Sequence, residues 1–178
     1  FISKEYAARL RAAIDPERAS TSSVGAVEEP TESLDTTHFS AVDSERNAVS
    51  LTYTIELPFT IVTGAGFLLN TELGDFNAAP GLTTAEGLIG TKANLPAPGK
   101  RPLSSMSPSI VSKDGELAMI TGSPGGRTII NTVLQTIVNA VDFGLNAQEI
   151  VDAGRLHHQW LPDRIQYEAL RISPDTLA

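Results

Sequence analysis

The feature that most constrains this chain is a change of character at Asp35–Thr36. Residues 15–35 are Ser, Thr, Pro and acid, including Ser20, Thr21, Ser22, Ser23, Glu28, Glu29, Pro30 and Glu32, with few apolar side chains to bury. That composition predicts a linker or exposed loop. β-forming pattern then starts abruptly. Residues 39–43 and 48–55 are rich in strand formers, and Val49, Leu51, Tyr53 and Ile55 alternate with Ala48, Ser50, Thr52 and Thr54. With Ser44, Glu45, Arg46 and Asn47 between them, the two stretches predict a hairpin.

Other elements follow from periodicity and punctuation. Ser3 can cap a helix in which Tyr6, Ala7, Leu10, Ala13 and Ile14 recur at three- and four-residue spacing, stopping near Pro16. Residues 71–108 are Gly- and Pro-rich without period and read as long loops, which in compact domains are more often functional than idle. Ser109–Lys113 and Glu116–Thr121 flank Asp114-Gly115, a hairpin signal. The strongest helix places Ile130, Val133, Leu134, Ile137, Val138 and Val141 on one face, with Gly144 where a left-handed cap belongs. Asn146 with Glu149 starts another short helix, residues 164–169 suit a strand, and Ser173-Pro174 opens a last helix. Strand pairs with amphipathic helices predict a layered α+β arrangement.

Charge and composition exclude several functions. A net charge of -8 disfavours binding to a phosphate backbone or an anionic membrane. The absence of cysteine excludes disulfides and thiolate chemistry, and no apolar run approaches a membrane span. His38, His157 and His158 are the only histidines and lack metal-ligand spacing, so no metal and no cofactor are expected. Arg155, His157, His158, Gln159 and Trp160 read as a packed polar and aromatic turn.

Three segments can carry chemistry. In Asp35-Thr36-Thr37-His38, a threonine hydroxyl becomes a nucleophile only with a base in reach, and cleaving the bond before the residue frees its own α-amine to serve. An α-amine titrates near ~8, so it is a competent base at neutral pH. Alternatively, Thr36 and Thr37 are ordinary strand-entry residues. Gly122-Ser123-Pro124-Gly125-Gly126, before the strongest helix, can aim backbone N–H groups at a developing negative charge, or can simply be a tight turn. It lacks the downstream Lys-Ser/Thr of a nucleotide-binding loop. Glu72 with Asp75 can hold an ammonium group, and Ser104 with Ser105 a carboxylate. Together they suit an amino-acid head group, though either pair alone is commonly solvated loop.

Taken jointly, these segments resemble the γ-glutamyltranspeptidase family of N-terminal-nucleophile hydrolases. The resemblance is carried by Thr36-Thr37-His38-Phe39-Ser40, Tyr53-Thr54, Leu68-Leu69-Asn70 with Glu72, Asp75 and Phe76, Arg101 through Pro108, Thr121 through Gly126, and Arg155 with His157 through Asp163. It implies a precursor that cuts itself between Asp35 and Thr36. Residues 1–35 are then the tail of a large subunit, and 36–178 most of a small catalytic subunit, short of its usual end. The implied fold is part of a four-layer αββα sandwich, incomplete without the large subunit. The implied reaction is γ-glutamyl transfer or hydrolysis, with glutathione-like amides as donors and amino acids or water as acceptors. Thr36 is the implied nucleophile, Thr54 its positioning partner, Gly125 and Gly126 the oxyanion hole. Glu72 and Asp75 match groups that hold the α-ammonium, and Ser104 and Ser105 match hydroxyls near the α-carboxylate. Glu56 stands where better-known members use an asparagine against the amino group.

The family's large subunit supplies a carboxylate-binding arginine, so the isolated chain is expected to be inactive. The family also implies a periplasmic or extracellular location. Alternatives are a related amidase acting on poly-γ-glutamate or an acyl side chain, and a non-catalytic assembly module.

Overall fold

The computed structural model describes residues 3–19, 21, 36–55, 61–77 and 90–177. Glu28, Glu29, Pro30, Glu32 and Asp35 of the predicted linker, and Glu56, lie outside the described residues.

Helix α1 (Lys4–Ala12) begins as its sequence predicts, with the Ser3 hydroxyl accepting from the Tyr6 N–H at 3.0 Å. Arg9 lies over the Tyr6 ring at 5.1 Å, one turn apart on the same face. None of its residues is buried.

Strands β1 (Thr36–Val42) and β2 (Ala48–Thr54) pair antiparallel, from Thr36 opposite Thr54 to Val42 opposite Ala48. The first strand starts three residues before the stretch expected from composition, because each of Thr36, Thr37 and His38 finds a β-forming partner across the ladder. The connection is closed by Asp43, whose carboxylate accepts from the Glu45 and Asn47 N–H groups at 2.9 and 2.8 Å. Alternation then sorts the hairpin into two unlike faces. Thr36, His38 and Ser40 share one with Thr54, Thr52 and Ser50; Phe39 shares the other with Leu51 and Val49. The polar face is the inward one: Thr52 is buried, whereas Phe39 and Val49 are half exposed.

Strands β3 (Ser109–Lys113) and β4 (Glu116–Thr121) form the second hairpin at the predicted bounds. Its turn places Asp114 at φ 54° and Gly115 at φ 84°, the left-handed pair that a two-residue connection requires. The register shifts between Val111 and Ser112, where Val111 faces Met119 but Ser112 faces Leu117, leaving Ala118 as an extra residue in β4. The hairpins meet through polar groups. The Ser50 hydroxyl donates to the Thr121 carbonyl at 2.9 Å, and the Arg46 guanidinium donates to the Leu117 carbonyl at 2.6 Å.

Helix α2 (Thr128–Val141) follows, and its buried side differs from the predicted one. Val133 of the expected face is buried, but so is Ile129 outside it, while Ile130, Leu134 and Val141 of that face are more than half exposed. The helix is apolar over more than one stripe, so periodicity alone does not set its rotation. Gly144 ends it at φ 66°, as expected. Helix α3 (Ala147–Asp152) opens on the predicted capping box, the Asn146 carbonyl oxygen of the side chain accepting from the Gln148 and Glu149 N–H groups and the Glu149 carboxylate from the Asn146 N–H at 2.8 Å. It contributes Ile150 to the small core of Ile129, Val133 and Leu161, where each such side chain removed from water stabilises by ~1.5–3 kcal/mol.

Strands β5 (Leu156–His157) and β6 (Gln166–Tyr167) form a short pair, the latter covering only part of the predicted 164–169. Gln135 of α2 holds it, exchanging hydrogen bonds with the Leu156 backbone at 2.7 and 3.0 Å. Arg155 meets Glu168 at 2.8 Å, and the His157 imidazole is buried against Gln159 at 2.6 Å. Of the predicted packed turn, His157 is buried and Arg155 and Gln159 are partly so, while His158 and Trp160 are exposed. A four-residue helix α4 (Pro174–Leu177) starts at the predicted Pro174. Among the described residues the strands make three antiparallel pairs, a mixed α and β architecture.

Replacing Asn146 with Ala removes both cap bonds it accepts. The expected cost is ~1 kcal/mol, read as a lower urea midpoint with unchanged slope; an unaltered midpoint refutes the capping role.

Candidate functional site

The predicted chemical segments lie far apart in sequence, and hydrogen bonds join them into one circuit. It starts at the first residue of β1. The Thr36 hydroxyl lies 3.0 Å from that of Thr54, its direct cross-strand partner. At the end of β2, the Thr54 carbonyl accepts from the Thr71 N–H at 3.1 Å. Thr71 is the residue before a single 3-10 turn, Glu72–Asp75, so this bond fixes that turn against the threonine pair.

The turn brings two carboxyls together, which is costly without a cation nearby. Glu72 Oε1 is buried with no hydrogen-bond partner among the described residues. The Asp75 carboxyl is pushed up to about 6, chiefly by lost hydration and then by the hydrogen bond and negative charge of Glu72. Two carboxyls so placed are the kind of pair whose mutual cost a positively charged group would relieve.

From the turn, the circuit passes through a residue that sequence reasoning missed. Asn94, which is buried, donates from Nδ2 to the Asp75 carbonyl at 2.7 Å and accepts at Oδ1 from the Leu103 N–H at 2.8 Å. Leu103 immediately precedes the predicted serines. The Ser105 hydroxyl donates to the Gly126 carbonyl at 2.8 Å, while Ser104 Oγ accepts from the Met106 N–H at 3.1 Å. The two hydroxyls thus differ: the proton of Ser105 is committed to the glycine loop.

That loop is shaped by glycine. Gly125 and Gly126 adopt φ 126° and 54°, conformations that side chains disfavour. The Thr128 hydroxyl donates back to the Gly125 carbonyl at 2.7 Å, tying the loop to the first turn of α2. A second missed contact closes the circuit at β1. The His38 ring packs so closely on Gly122 that a Cβ there would overlap the imidazole. His38 itself is held by the Thr52 and Ser40 hydroxyls at 2.9 and 3.1 Å, and partial burial lowers its pKa.

Thr36, Thr54, Glu72, Asp75, Ser104, Ser105, Gly125 and Gly126 are therefore joined by a continuous hydrogen-bonded framework. Glu56 is the predicted site residue outside the described residues. Nothing in the sequence marks Asn94, which sits in an aperiodic stretch. His38 stands out as one of three histidines and Gly122 as part of the glycine segment, but nothing in the sequence pairs the two.

The chain is similar to known proteins along its whole length. The Gamma-glutamyltranspeptidase family profile matches residues 1–178. A glutathione hydrolase proenzyme of Pseudomonas sp. (strain A14) is 48% identical over 99% of this chain and 31% of its own length. The glutathione hydrolase proenzyme of Escherichia coli (strain K12) is 54% identical over 83% of this chain and 26% of its own. The chain thus spans about a third or less of these curated relatives. Among solved structures, a mutant gamma-glutamyltranspeptidase of Helicobacter pylori superposes with a TM-score of 0.68 at 48% identity, covering 78% of this chain and 76% of that one.

Two measurements test the geometry. Gly122→Ala is expected to destabilise by ~1–3 kcal/mol through overpacking, and by much less in a His38→Ala background. An equal cost in both backgrounds refutes the ring contact. Asp75 binds a proton more tightly folded than unfolded, so its contribution to stability falls as pH rises from about 4 to about 6. Asp75→Asn should flatten unfolding midpoints across that window; an unchanged slope contradicts the carboxyl pairing.

Proposed function

The chain belongs to the γ-glutamyltranspeptidase family, and on that premise we propose that it carries the reactive centre of a γ-glutamyl transferase and glutathione hydrolase, with Thr36 as nucleophile. The observation that carries this reading is the Thr36–Thr54 hydroxyl pair at 3.0 Å, at the first residue of β1 and at the edge of the predicted linker.

In the precursor, the Thr36 hydroxyl attacks the Asp35 carbonyl carbon and the peptide acyl group moves from nitrogen to oxygen. Water then hydrolyses that ester, leaving Asp35 with a carboxylate and Thr36 with a free α-amine. In turnover, the α-amine takes the Thr36 hydroxyl proton as the oxygen adds to the γ-carbonyl of the donor. Thr54 orients the hydroxyl. The negative charge that develops on the carbonyl oxygen is received by the Gly125 and Gly126 N–H groups beside the N-terminus of α2, where donors fixed in advance are most effective. Collapse expels the amine, which carries away the proton. Water or an amino-acid amine then attacks the γ-glutamyl ester and restores Thr36.

The donor's α-ammonium sits between Glu72 and Asp75, a reading supported by a buried Glu72 oxygen that has no partner among the described residues. Glu56 is assigned to the same group. The α-carboxylate is received at Ser104 and Ser105; Ser104 is the stronger candidate to donate, since Ser105 already donates to Gly126. The remainder of the precursor is the partner that completes carboxylate recognition and the four-layer sandwich to which these strand pairs contribute.

Intact mass and N-terminal sequencing of the full-length protein test the nucleophile. A fragment beginning at Thr36 is expected, and Thr36→Ala should leave the chain whole and turnover lost. Cleavage elsewhere, or activity without cleavage, defeats the assignment. The raised Asp75 carboxyl adds a pH signature: as pH falls below about 6 it becomes neutral, so KM for γ-glutamyl anilide should rise while kcat responds to the α-amine instead. A flat KM down to pH 5 contradicts the ammonium seat.

A further inference from the structure

Asn94 lies outside every segment to which the preceding reading gives a role, yet all its polar groups are engaged. Both Nδ2 protons are committed, to the Asp75 carbonyl at 2.7 Å and to Asn77 Oδ1 at 3.0 Å. Oδ1 accepts from the Leu103 N–H at 2.8 Å. The backbone carbonyl accepts from the Asn77 N–H at 3.0 Å, and the backbone N–H donates to the Thr91 carbonyl at 3.1 Å. The amide orientation is dictated by its surroundings, because the Asp75 carbonyl can only accept and the Leu103 N–H can only donate. At 6% exposure the side chain is shielded from water, so lost bonds would not be cheaply replaced.

Its two sides reach different halves of one recognition problem. Nδ2 holds the end of the turn that carries Glu72 and Asp75. Oδ1 holds the backbone one residue before Ser104. Resting on the function proposed above, we infer that Asn94 is a positioning residue that sets the distance between the ammonium seat and the carboxylate seat, and so selects donors bearing both charges on one α-carbon. A ligand with two charged groups gains from a fixed spacing as a tethered pair does: once one end is bound, the other is already in place. A ligand with one charged group gains nothing from that spacing.

The difference gives a test that a general loss of structure would fail. Asn94→Leu, of similar size without polar groups, and Asn94→Ala are made in the full-length protein. KM and kcat are measured for three anilides: γ-glutamyl, with both charges; glutaryl, with the carboxylate alone; and 4-aminobutyryl, with the ammonium alone. Both variants are expected to raise KM for the γ-glutamyl compound about tenfold, with kcat within about twofold, and to shift KM for the single-headed compounds by less than about twofold. Equal rises for all three overturn the proposal, as does a fall in kcat with KM intact. Failure of both variants to fold would also overturn it, making Asn94 a residue of the fold. A wild-type protein indifferent to all three anilides shows separately that the γ-glutamyl reading is wrong, and the Asn94 role falls with it.

Discussion

The structure depends on a hairpin that turns its polar face inward. Thr36, His38, Ser50, Thr52 and Thr54 share the inward face, from which Ser50 meets the second hairpin and His38 the glycine loop, while Phe39, Val49 and Leu51 face outward. Buried hydroxyls and an imidazole are tolerated only when each finds a partner. They do so in ladder order: Thr36 with Thr54, His38 with Thr52, Ser50 with the Thr121 carbonyl. Rigidity at the proposed nucleophile therefore comes from satisfied polar contacts, whereas the hydrophobic core of Ile129, Val133, Ile150 and Leu161 lies around α2 and α3.

The glycine loop joins these two regions. It leaves β4 at Thr121, is seated on His38 through Gly122, is bonded to Ser105 through Gly126, and runs into α2, whose Ile129 and Val133 anchor it. The hydroxyl ladder and the apolar core thus locate the same short segment from opposite ends. A site built this way is placed by regular elements even where it consists of loop backbone.

Much of the local structure was legible in the sequence because it is decided locally. Ser3 and the Asn146–Glu149 box cap helices with their own side chains, Asp114-Gly115 dictates its turn, and Gly144 ends α2. What escaped is decided by neighbours distant in sequence. The rotation of α2 follows from which stripe meets α3 and β5, so Ile129 is buried in place of Ile130. The inward choice of the polar face is invisible to alternation, which marks two faces without saying which is covered. Asn94 has no periodic or motif signal, since its role exists only once residues 75 and 103 are brought beside it. The candidate site residues stand out in the sequence as motifs; the hydrogen bonds that connect them do not.

The extra residue in β4 gives the hairpin a function in phasing. Between the Asp114-Gly115 turn and Thr121, side chains would alternate without interruption but for Ala118, which shifts the register so that Ser112 faces Leu117 and Val111 faces Met119. Every residue after the shift is moved by one step relative to the turn, and a one-step slip in a strand exchanges its faces. Beyond the shift lie the Thr121 carbonyl that Ser50 meets and Gly122, on which His38 rests. A single unpaired alanine, bearing no functional group, sets the phase in which the strand runs on into the glycine loop.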